Sequence, residues 1–299
     1  MIKLLDDRFK LVLSEFKDGT KRVSIEVVDC KYRDYLKDPD GCVFIGWRFE
    51  SESEIVTLLY IVNWFRDNTS LKLYLDLYYV PYARMDRVEE SSDVFTLKYF
   101  TNLLNSMRFE EVAVLDPHSR VSPALIDRVR VVEPVSQLRS VLKDIASKGQ
   151  LTILFPDRGA YERYLSPKLQ EVFKEFSITQ FLYGEKRRDW KTSNIQNFYI
   201  NTKGIKELGN VLIIDDIITT GGTIEKCIQA VEDLDDFNSR LIYVYSTFLE
   251  KAFLDSDKFN WIYSQCEGIF TTDALLTDGD KVSTVLPKLN IVEIDEYSF

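Results

Sequence analysis

The sequence contains few of the residues that mark secreted, zinc-binding or membrane proteins. Its four cysteines are widely spaced and form no C-x-x-C pair, which excludes a disulfide framework and a zinc ribbon. The amino terminus carries acidic residues where a signal peptide needs basic ones, and no stretch approaches about 18 consecutive apolar residues. These absences predict a soluble, cytoplasmic protein with no membrane partner.

Basic charge is also in deficit. Lys and Arg number 38 against 48 Asp and Glu, giving a net charge of -10. A nucleic-acid partner is therefore not expected, because binding to a phosphate backbone needs a concentrated basic face. Small anionic substrates stay open, since a few local cations or Mg²⁺ can hold them. At about 100 to 200 residues per domain, 299 residues predict two domains.

Hydrophobic spacing predicts strands that alternate with helices. Leu71, Leu73, Leu75 and Leu77 recur with the period of two that is typical of a strand. The strands predicted in this way are 71–80, 112–115, 151–155 and 211–214, and the helices are 53–67, 94–107, one through 138–145, and 222–234. The fold class is therefore α/β, with mainly parallel sheets flanked by helices and ligands bound beyond the carboxyl ends of the strands.

Residues 210–231 carry most of the chemical information. Their sequence, NVLIIDDIITTGGTIEKCIQAV, predicts a buried strand, an acidic pair, a loop of hydroxyl residues and glycines, and then a helix. Asp215 and Asp216 suit the two adjacent hydroxyls of a ribose as acceptors. A phosphate monoester would be held by Thr219, Thr220, Gly221, Gly222 and Thr223 at the start of the helix. An acidic pair that merely caps a helix would explain neither the doubled glycine nor the threonines.

The segment DDIITTGGT at 215–223 resembles the phosphoribosyl-diphosphate loop of the type I phosphoribosyltransferase fold. Four further motifs occur in the order and approximate spacing of the ribose-phosphate diphosphokinase family: PYARMDR at 81–87, Asp116 with His118, PDRGA at 156–160 and EKRR at 185–188. The resemblance covers nearly the whole chain. It implies two tandem phosphoribosyltransferase-type domains, 1–133 on the ATP side and 134–285 on the sugar-phosphate side, with 286–299 returning to complete the first.

The resemblance also implies roles for individual residues. ATP-binding residues would be Phe16 and Asp18 in FKDGT, Arg84 and Asp86 in PYARMDR, and His118, the only histidine. His118 and Asp157 would serve Mg²⁺, for which a carboxylate and an imidazole, acting through waters, are suitable company. Catalytic residues would be His118, Lys186 and Arg188, the two cations neutralising charge on the transferred diphosphate and on departing AMP.

The reaction implied is transfer of the β,γ-diphosphate of MgATP to the anomeric hydroxyl of ribose 5-phosphate, which gives phosphoribosyl diphosphate and AMP. Family members form homo-oligomers, so a homo-oligomer is expected here as well. Several positions depart from the family pattern: Thr219 replaces an acidic residue, Thr20 a glutamate and Met85 a glutamine, and DPHSRV carries Pro117 and Val121.

These departures leave other functions open. The same chemistry on a larger 5-substituted ribose, such as ADP-ribose in NAD-related metabolism, is one alternative, motivated by Thr219 and the altered DPHSR segment. A phosphoribosyltransferase shares the 215–223 loop but would not need PYARMDR. A non-catalytic regulatory relative is disfavoured by retention of His118, Asp157 and Lys186. A Walker-type ATPase is excluded because the chain has no G-x-x-x-x-G-K-[ST] motif.

Overall fold

The computed structural model describes residues 1–188, 195–200, 202, 208–234, 240–276 and 285–295, with the side chains of 186–188 and 195–197 outside this description. The chain divides into two compact units. The first comprises Met1–Val132 and Asp295, and the second Glu133–Ile294. Each unit has its own sheet, and each is described by itself below.

The first unit is built on a five-stranded sheet of order β1-β4-β5-β6-β7. Its strands are β1 (Ile2–Leu4), β4 (Cys42–Trp47), β5 (Lys72–Leu77), β6 (Glu111–Leu115) and β7 (Val129–Val132), all parallel except β1. An antiparallel hairpin, β2 (Phe9–Glu15) and β3 (Lys21–Val27), lies outside this sheet. The helices are α1 (Ser53–Asn68), α2 (Thr96–Ser106) and α3 (Val121–Leu125).

The core of the first unit lies between the sheet and helices α1 and α2. Leu73, Leu75 and Leu77 are fully buried, as their alternation predicts, and they belong to one cluster with residues of both helices. The opposite face of β4 carries Phe44, which is 39% exposed and stacks on Tyr74 of β5 with ring centroids 4.8 Å apart. The first sheet therefore buries its large aliphatic residues mainly on one face.

The second unit is built on a seven-stranded sheet of order β10-β9-β8-β11-β12-β13-β14. Its strands are β8 (Leu151–Phe155), β9 (Gln180–Arg188), β10 (Ile195–Ile200), β11 (Asn210–Ile218), β12 (Ile242–Leu249), β13 (Gly268–Thr272) and β14 (Leu289–Val292). All neighbours are parallel except β9 and β10. The helices are α4 (Val135–Ile145), α5 (Arg158–Tyr164), α6 (Pro167–Glu175), α7 (Gly222–Glu232), α8 (Lys251–Leu254) and α9 (Phe259–Gln265).

Both faces of the second sheet are covered. Along β11, Val211 and Ile213 belong to a core formed with α7 and α9, whereas Leu212 and Ile214 belong to a core formed with α4, α5 and α6. Buried parallel strands of this kind read as continuous apolar runs, as VLII does here. The same alternation continues through Asp215 and Asp216, so the two carboxylates lie on opposite faces of the sheet.

The predicted fold class is confirmed: mostly parallel strands are flanked by helices in both units. The predicted helices and strands are present, but β11 is longer than the predicted strand 211–214. Strand β11 continues through the acidic pair to Ile218, because Asp215, Ile217 and Ile218 pair in register with β12. The pair therefore lies inside a hydrogen-bonded strand and not in the loop after it.

The carboxyl-terminal segment is described as far as Asp295. Strand β14 pairs with β13, and its Leu289 is buried in the second core, while Asp295 groups with the first unit. The domain limits 1–133, 134–285 and 286–299 stay predictions. Among the described residues, no helix combines the length and the apolar character that a membrane span requires.

Candidate active site

Three of the predicted site segments meet at the carboxyl edge of the second sheet. Asp157 follows β8 by two residues, Lys186 and Arg188 lie in the last part of β9, and Asp215 begins the last part of β11. Strand β8 is the parallel neighbour of both β9 and β11. Carboxyl ends of neighbouring parallel strands share one edge, so the fold brings these residues together where α/β proteins bind ligands.

The acidic pair leaves β11 from two different faces. Asp215 continues the face covered by α7, and Asp216 continues the face covered by α5. Asp216 is 3% exposed and is held by Arg163 of α5, whose Nη2 donates to Asp216 Oδ1 at 2.8 Å. The Ser246 hydroxyl of β12 donates to the Asp216 carbonyl at 3.1 Å. Asp216 is thus a fixed, ion-paired carboxylate.

Asp215 is in a different electrostatic position. Burial raises the pKa of Asp215 well above its usual value, and the negative charge of Asp216 raises this pKa further, while Arg163 opposes both effects. The Asp215 side chain also accepts a bond from the Asp216 backbone N–H at 3.0 Å. The unfavourable ionisation of Asp215 would be relieved by donors such as sugar hydroxyls.

The glycine loop forms the concave part of the site. Gly221 has φ +82°, and a Cβ there would lie 2.7 Å from Phe253 Cε2 and 2.8 Å from Ile262 Cδ1. Helix α7 begins at Gly222 and leaves its first N–H groups directed at the loop. A cavity of about 350 Å³ opens here, lined by residues 217–226 with Phe198 and Lys258. Hydroxyls, backbone N–H groups and lysines together suit a phosphate group.

Lys258 adds a cation to this cavity that the motif does not contain. Its Nζ donates to the Glu225 carboxylate, and both residues are partly exposed cavity walls. Glu225 is in the first turn of α7, where a negative charge is favourable beside the helix amino terminus. The pair therefore places one neutralised cation beside the loop, in addition to Lys226 on α7.

Asp157 has a structural contact of its own. It is the N-cap of α5, and its Oδ1 accepts from the Ala160 N–H at 3.0 Å. Such a cap satisfies one of the unpaired donors at a helix start. The capping role explains why an aspartate stands between β8 and the start of α5.

Three of the residues predicted for ATP, Arg84, Asp86 and His118, lie at the edge of the first sheet. Segment 81–87 follows β5, Asp116 follows β6 directly, and these two strands are parallel neighbours. Arg84 is exposed, Asp86 is half-buried beside Arg87, and His118 is half-buried. Two non-glycine residues have left-handed backbone here: Tyr82 at φ +63° and Asp116 at φ +36°. Strained residues of this type cluster at functional sites.

The Phe16 and Asp18 pair lies elsewhere in the first unit, in the turn between β2 and β3. Phe16 is 54% exposed. Asp18 Oδ1 accepts from the Thr20 N–H at 3.0 Å and from the Thr20 hydroxyl at 2.7 Å, and these bonds lower the pKa of Asp18. Thr20, which replaces the family's glutamate, therefore shapes the turn that carries the two predicted ATP contacts.

Across the described part of the chain, no group of three or more His, Cys, Asp or Glu side chains forms a metal cage. Magnesium seldom needs one, because it keeps several waters and is usually held by one or two carboxylates together with substrate phosphates. Asp157 beside the acidic pair is compatible with that manner of binding. His118 belongs to the first unit, so its shared metal role with Asp157 stays a prediction.

Sequence reasoning missed three residues of the second edge: Arg163, Phe198 and Lys258. Arg163 had a signal, since it lies six residues after Asp157 on a helix that starts at the sheet edge. Phe198 and Lys258 had none, because each reaches the cavity from a segment remote in sequence from the glycine loop.

No family model matches the chain. It is 28% identical over 240 residues to the ribose-phosphate pyrophosphokinase of Sulfurisphaera tokodaii, covering 78% of this chain and 76% of that protein. It is 26% identical over 286 residues to the ribose-phosphate pyrophosphokinase of Pyrococcus furiosus, covering 94% and 91%.

Among solved structures, the crystal structure of phosphoribosylpyrophosphate synthetase from Mycobacterium smegmatis matches with a TM-score of 0.69 at 14% identity, over 95% of this chain and 86% of that one. At this identity the match shows the fold. The curated relatives confirm the resemblance predicted from the motifs and support an enzyme of the diphosphotransferase type. The solved structure supports the fold.

Proposed function

Since the chain is a divergent relative of the ribose-phosphate pyrophosphokinases with a type I phosphoribosyltransferase fold, we propose that it transfers the β,γ-diphosphate of ATP to the anomeric hydroxyl of a ribose phosphate. Ribose 5-phosphate is the first acceptor proposed, with phosphoribosyl diphosphate and AMP as products. Such a product feeds nucleotide biosynthesis.

The observation that carries the proposal is the arrangement along β11 and α7. A carboxylate pair is followed, within one strand and one turn, by a left-handed glycine and a helix start that opens into a cavity. Acceptors for hydroxyls and donors for a phosphate thus occur at a fixed spacing, as a ribose 5-phosphate requires. A helix cap alone would not need the cavity or the threonine hydroxyls.

In the proposed reaction, the anomeric oxygen forms a bond to the β-phosphorus of ATP. The bond between that phosphorus and the oxygen bridging to the α-phosphate breaks, AMP departs, and the hydroxyl proton is released. Asp215 and Asp216 hold and orient the ribose hydroxyls, and residues 219–223 hold the 5-phosphate. Lys186 and Arg188 neutralise charge on the transferred group and on AMP, which is the main work in phosphoryl transfer.

On the nucleotide side, Arg84, Asp86, Phe16 and Asp18 bind ATP in the proposal, with His118 beside its phosphates. His118 and Asp157 would hold Mg²⁺ together with substrate phosphates and water. When bound, Mg²⁺ supplies charge neutralisation and orientation of the phosphate groups. Homo-oligomer formation also remains proposed, supported by the exposure of Phe16 at the hairpin tip.

A second acceptor class is favoured by one observation. Thr219, a cavity wall, replaces an acidic residue, and Lys226 and Lys258 line the same cavity. Removal of a carboxylate beside two lysines lowers repulsion of a further phosphate group. A ribose whose 5-phosphate is esterified, such as ADP-ribose in NAD-related metabolism, is therefore the second candidate acceptor. A phosphoribosyltransferase is the remaining alternative.

The test is AMP release from MgATP, followed by chromatography, with ribose 5-phosphate and ADP-ribose supplied separately at equal concentration. AMP formed with ribose 5-phosphate supports the first acceptor, and AMP formed preferentially with ADP-ribose supports the second. AMP from neither acceptor, together with diphosphate release from phosphoribosyl diphosphate and a nucleobase, would transfer the assignment to a phosphoribosyltransferase. The K186A variant serves as the chemically impaired control.

A further inference from the structure

Phe198 connects two parts of the second edge that the sequence separates. Its side chain is a wall of the cavity above the glycine loop. The same ring lies against the backbone of Gly184 in β9, so closely that a Cβ on Gly184 would overlap it. That Cβ would also lie 2.7 Å from the Pro156 carbonyl oxygen, next to Asp157. One ring therefore contacts β9 on one side and the cavity on the other.

The strand register places this contact beside the proposed catalytic lysine. Phe198 is the direct partner of Lys186 in the antiparallel ladder of β9 and β10, and Gly184 is the partner of Ile200. Strand β10 is an edge strand of the seven-stranded order, so β9 is its strand neighbour in the sheet. Beyond the ladder, packing of Phe198 and Ile200 against the core with α7 fixes β10.

We propose that Phe198 is a positioning residue that couples occupancy of the phosphate cavity to the part of β9 that carries Lys186. This inference rests on the proposed function, because the cavity is assigned to the phosphate of the acceptor. An anion bound among residues 219–226 contacts the Phe198 edge and excludes water from it. The ring is then held against Gly184, and the register of Lys186 is held with it.

The physical basis is a difference in binding between two states of an edge strand. A ligand shifts such an equilibrium only if it contacts one state better than the other. Phe198 makes the contact of the ligand depend on the state of the strand, because Phe198 is both a residue of β10 and a wall of the cavity. Tyr199, the next residue, is 37% exposed and is not a cavity wall, and its hydroxyl donates to the Glu185 carboxylate of β9. Y199A therefore removes a contact with β9 that does not involve the cavity, which makes it the comparison variant on the same strand.

The first experiment is hydrogen exchange with and without ribose 5-phosphate, on the wild type, F198A and Y199A. Protection is expected at 219–226 in all three proteins, and at 181–186 only in the wild type and Y199A. Protection at 219–226 without any at 181–186 in the wild type would overturn the coupling alone. No protection at 219–226 would remove the acceptor assignment, and the proposed function with it.

The second experiment is a double-mutant cycle on turnover with saturating acceptor. F198A is expected to lower kcat about 10-fold. K186A is expected to lower kcat about 100-fold in the wild type but only about 10-fold in the F198A background, because Lys186 is already misplaced there. F198L, which keeps an apolar wall, should recover part of kcat. Fully additive effects in proteins of equal melting temperature would refute a positioning role.

Discussion

The carboxyl edges of the two sheets have the same architecture but different chemistry. At the second edge, a glycine with φ +82° precedes the eleven-residue helix α7, and a cavity forms over the loop. At the first edge, the left-handed residues are Tyr82 and Asp116, and the helix after β6 has only five residues. The second edge thus supplies backbone donors for a compact anion, whereas the first supplies side chains.

The difference extends to the sheets that hold the two edges. The second sheet is buried on both faces, and its carboxylates are fixed by neighbours such as Arg163. The first sheet concentrates its core on one face, and its edge residues Arg84 and Arg87 are exposed. In the proposed function, the more buried edge holds the sugar phosphate and the more exposed edge holds the nucleotide.

The largest expected effect separates a catalytic residue at the second edge from a binding residue at the first. K186A at the second edge is expected to lower turnover by about 10²- to 10³-fold with little change in the KM for ATP, because the lost charge acts on the transition state. R84A at the first edge should raise the KM for ATP with a smaller change in turnover. Steady-state kinetics of both variants measure turnover and the KM for ATP. The control is K174A, which replaces an exposed lysine. Unchanged turnover in K186A would reduce EKRR to a surface charge run.

The second test addresses the glycine loop. G221A combines a left-handed φ with overlap at Phe253 and Ile262, and is expected to cost about 2–4 kcal/mol of unfolding free energy and to remove acceptor binding. G222A is the matched control, since its nearest neighbour is Lys258 Cε at 3.9 Å. Denaturant unfolding and calorimetric titration with ribose 5-phosphate measure both. Equal behaviour of the two variants would show that the loop is not shaped by Gly221.

The third test separates the two carboxylates. D216N removes the charged carboxylate that Arg163 contacts at 2.8 Å and is expected to destabilise the protein by about 2–3 kcal/mol. D215N should instead raise the melting temperature by a few degrees near neutral pH while it weakens acceptor binding. The double variant should bind the acceptor weakly. Normal acceptor binding by the double variant would contradict the ribose-hydroxyl assignment.

The pH dependence of the D215N effect follows from the direction of the pKa shift. The folded-state pKa of Asp215 is raised, so the folded protein retains a proton that the unfolded chain releases near pH 4. Stability contributed by this group is therefore lost as pH rises from the unfolded pKa towards the folded one. Thermal melts should show the advantage of D215N growing over that window and vanishing below it.

The smallest test is at the β2–β3 turn. T20A removes the hydroxyl that donates to Asp18 at 2.7 Å, and is expected to raise the KM for ATP a few-fold without changing the melting temperature. T20S keeps the hydroxyl and should behave like the wild type. An unchanged KM in T20A would remove Asp18 from the nucleotide site and sharpen the contrast between the two edges.

The sequence predicted the elements of the fold well because buried strands and amphipathic helices leave periodic signals. Leu73, Leu75 and Leu77 are buried as their spacing indicates, and helix α1 begins at Ser53. The loop at 215–223 was also found, because glycine and threonine at a helix start are a local pattern.

The rest depended on contacts between segments that are distant in sequence. Local pattern could not show that β11 extends to Ile218, since that extension is decided by pairing with β12. Nor could it show that Asp216 is ion-paired with Arg163, 53 residues earlier, or that Phe198 covers Gly184. Such contacts are tertiary, and no spacing rule along the chain reports them.

The extension of β11 has a further consequence. From Asp215 to Ile218 the chain is held in register by β12, and each strand residue spans about 3.3 Å, so about 10 Å of rigid backbone separates the first carboxylate from the glycine turn. In the proposed function, this stretch of paired strand sets the separation between the carboxylates that accept from the sugar hydroxyls and the loop that holds the phosphate. The separation is then a property of hydrogen-bonded backbone and does not depend on flexible side chains.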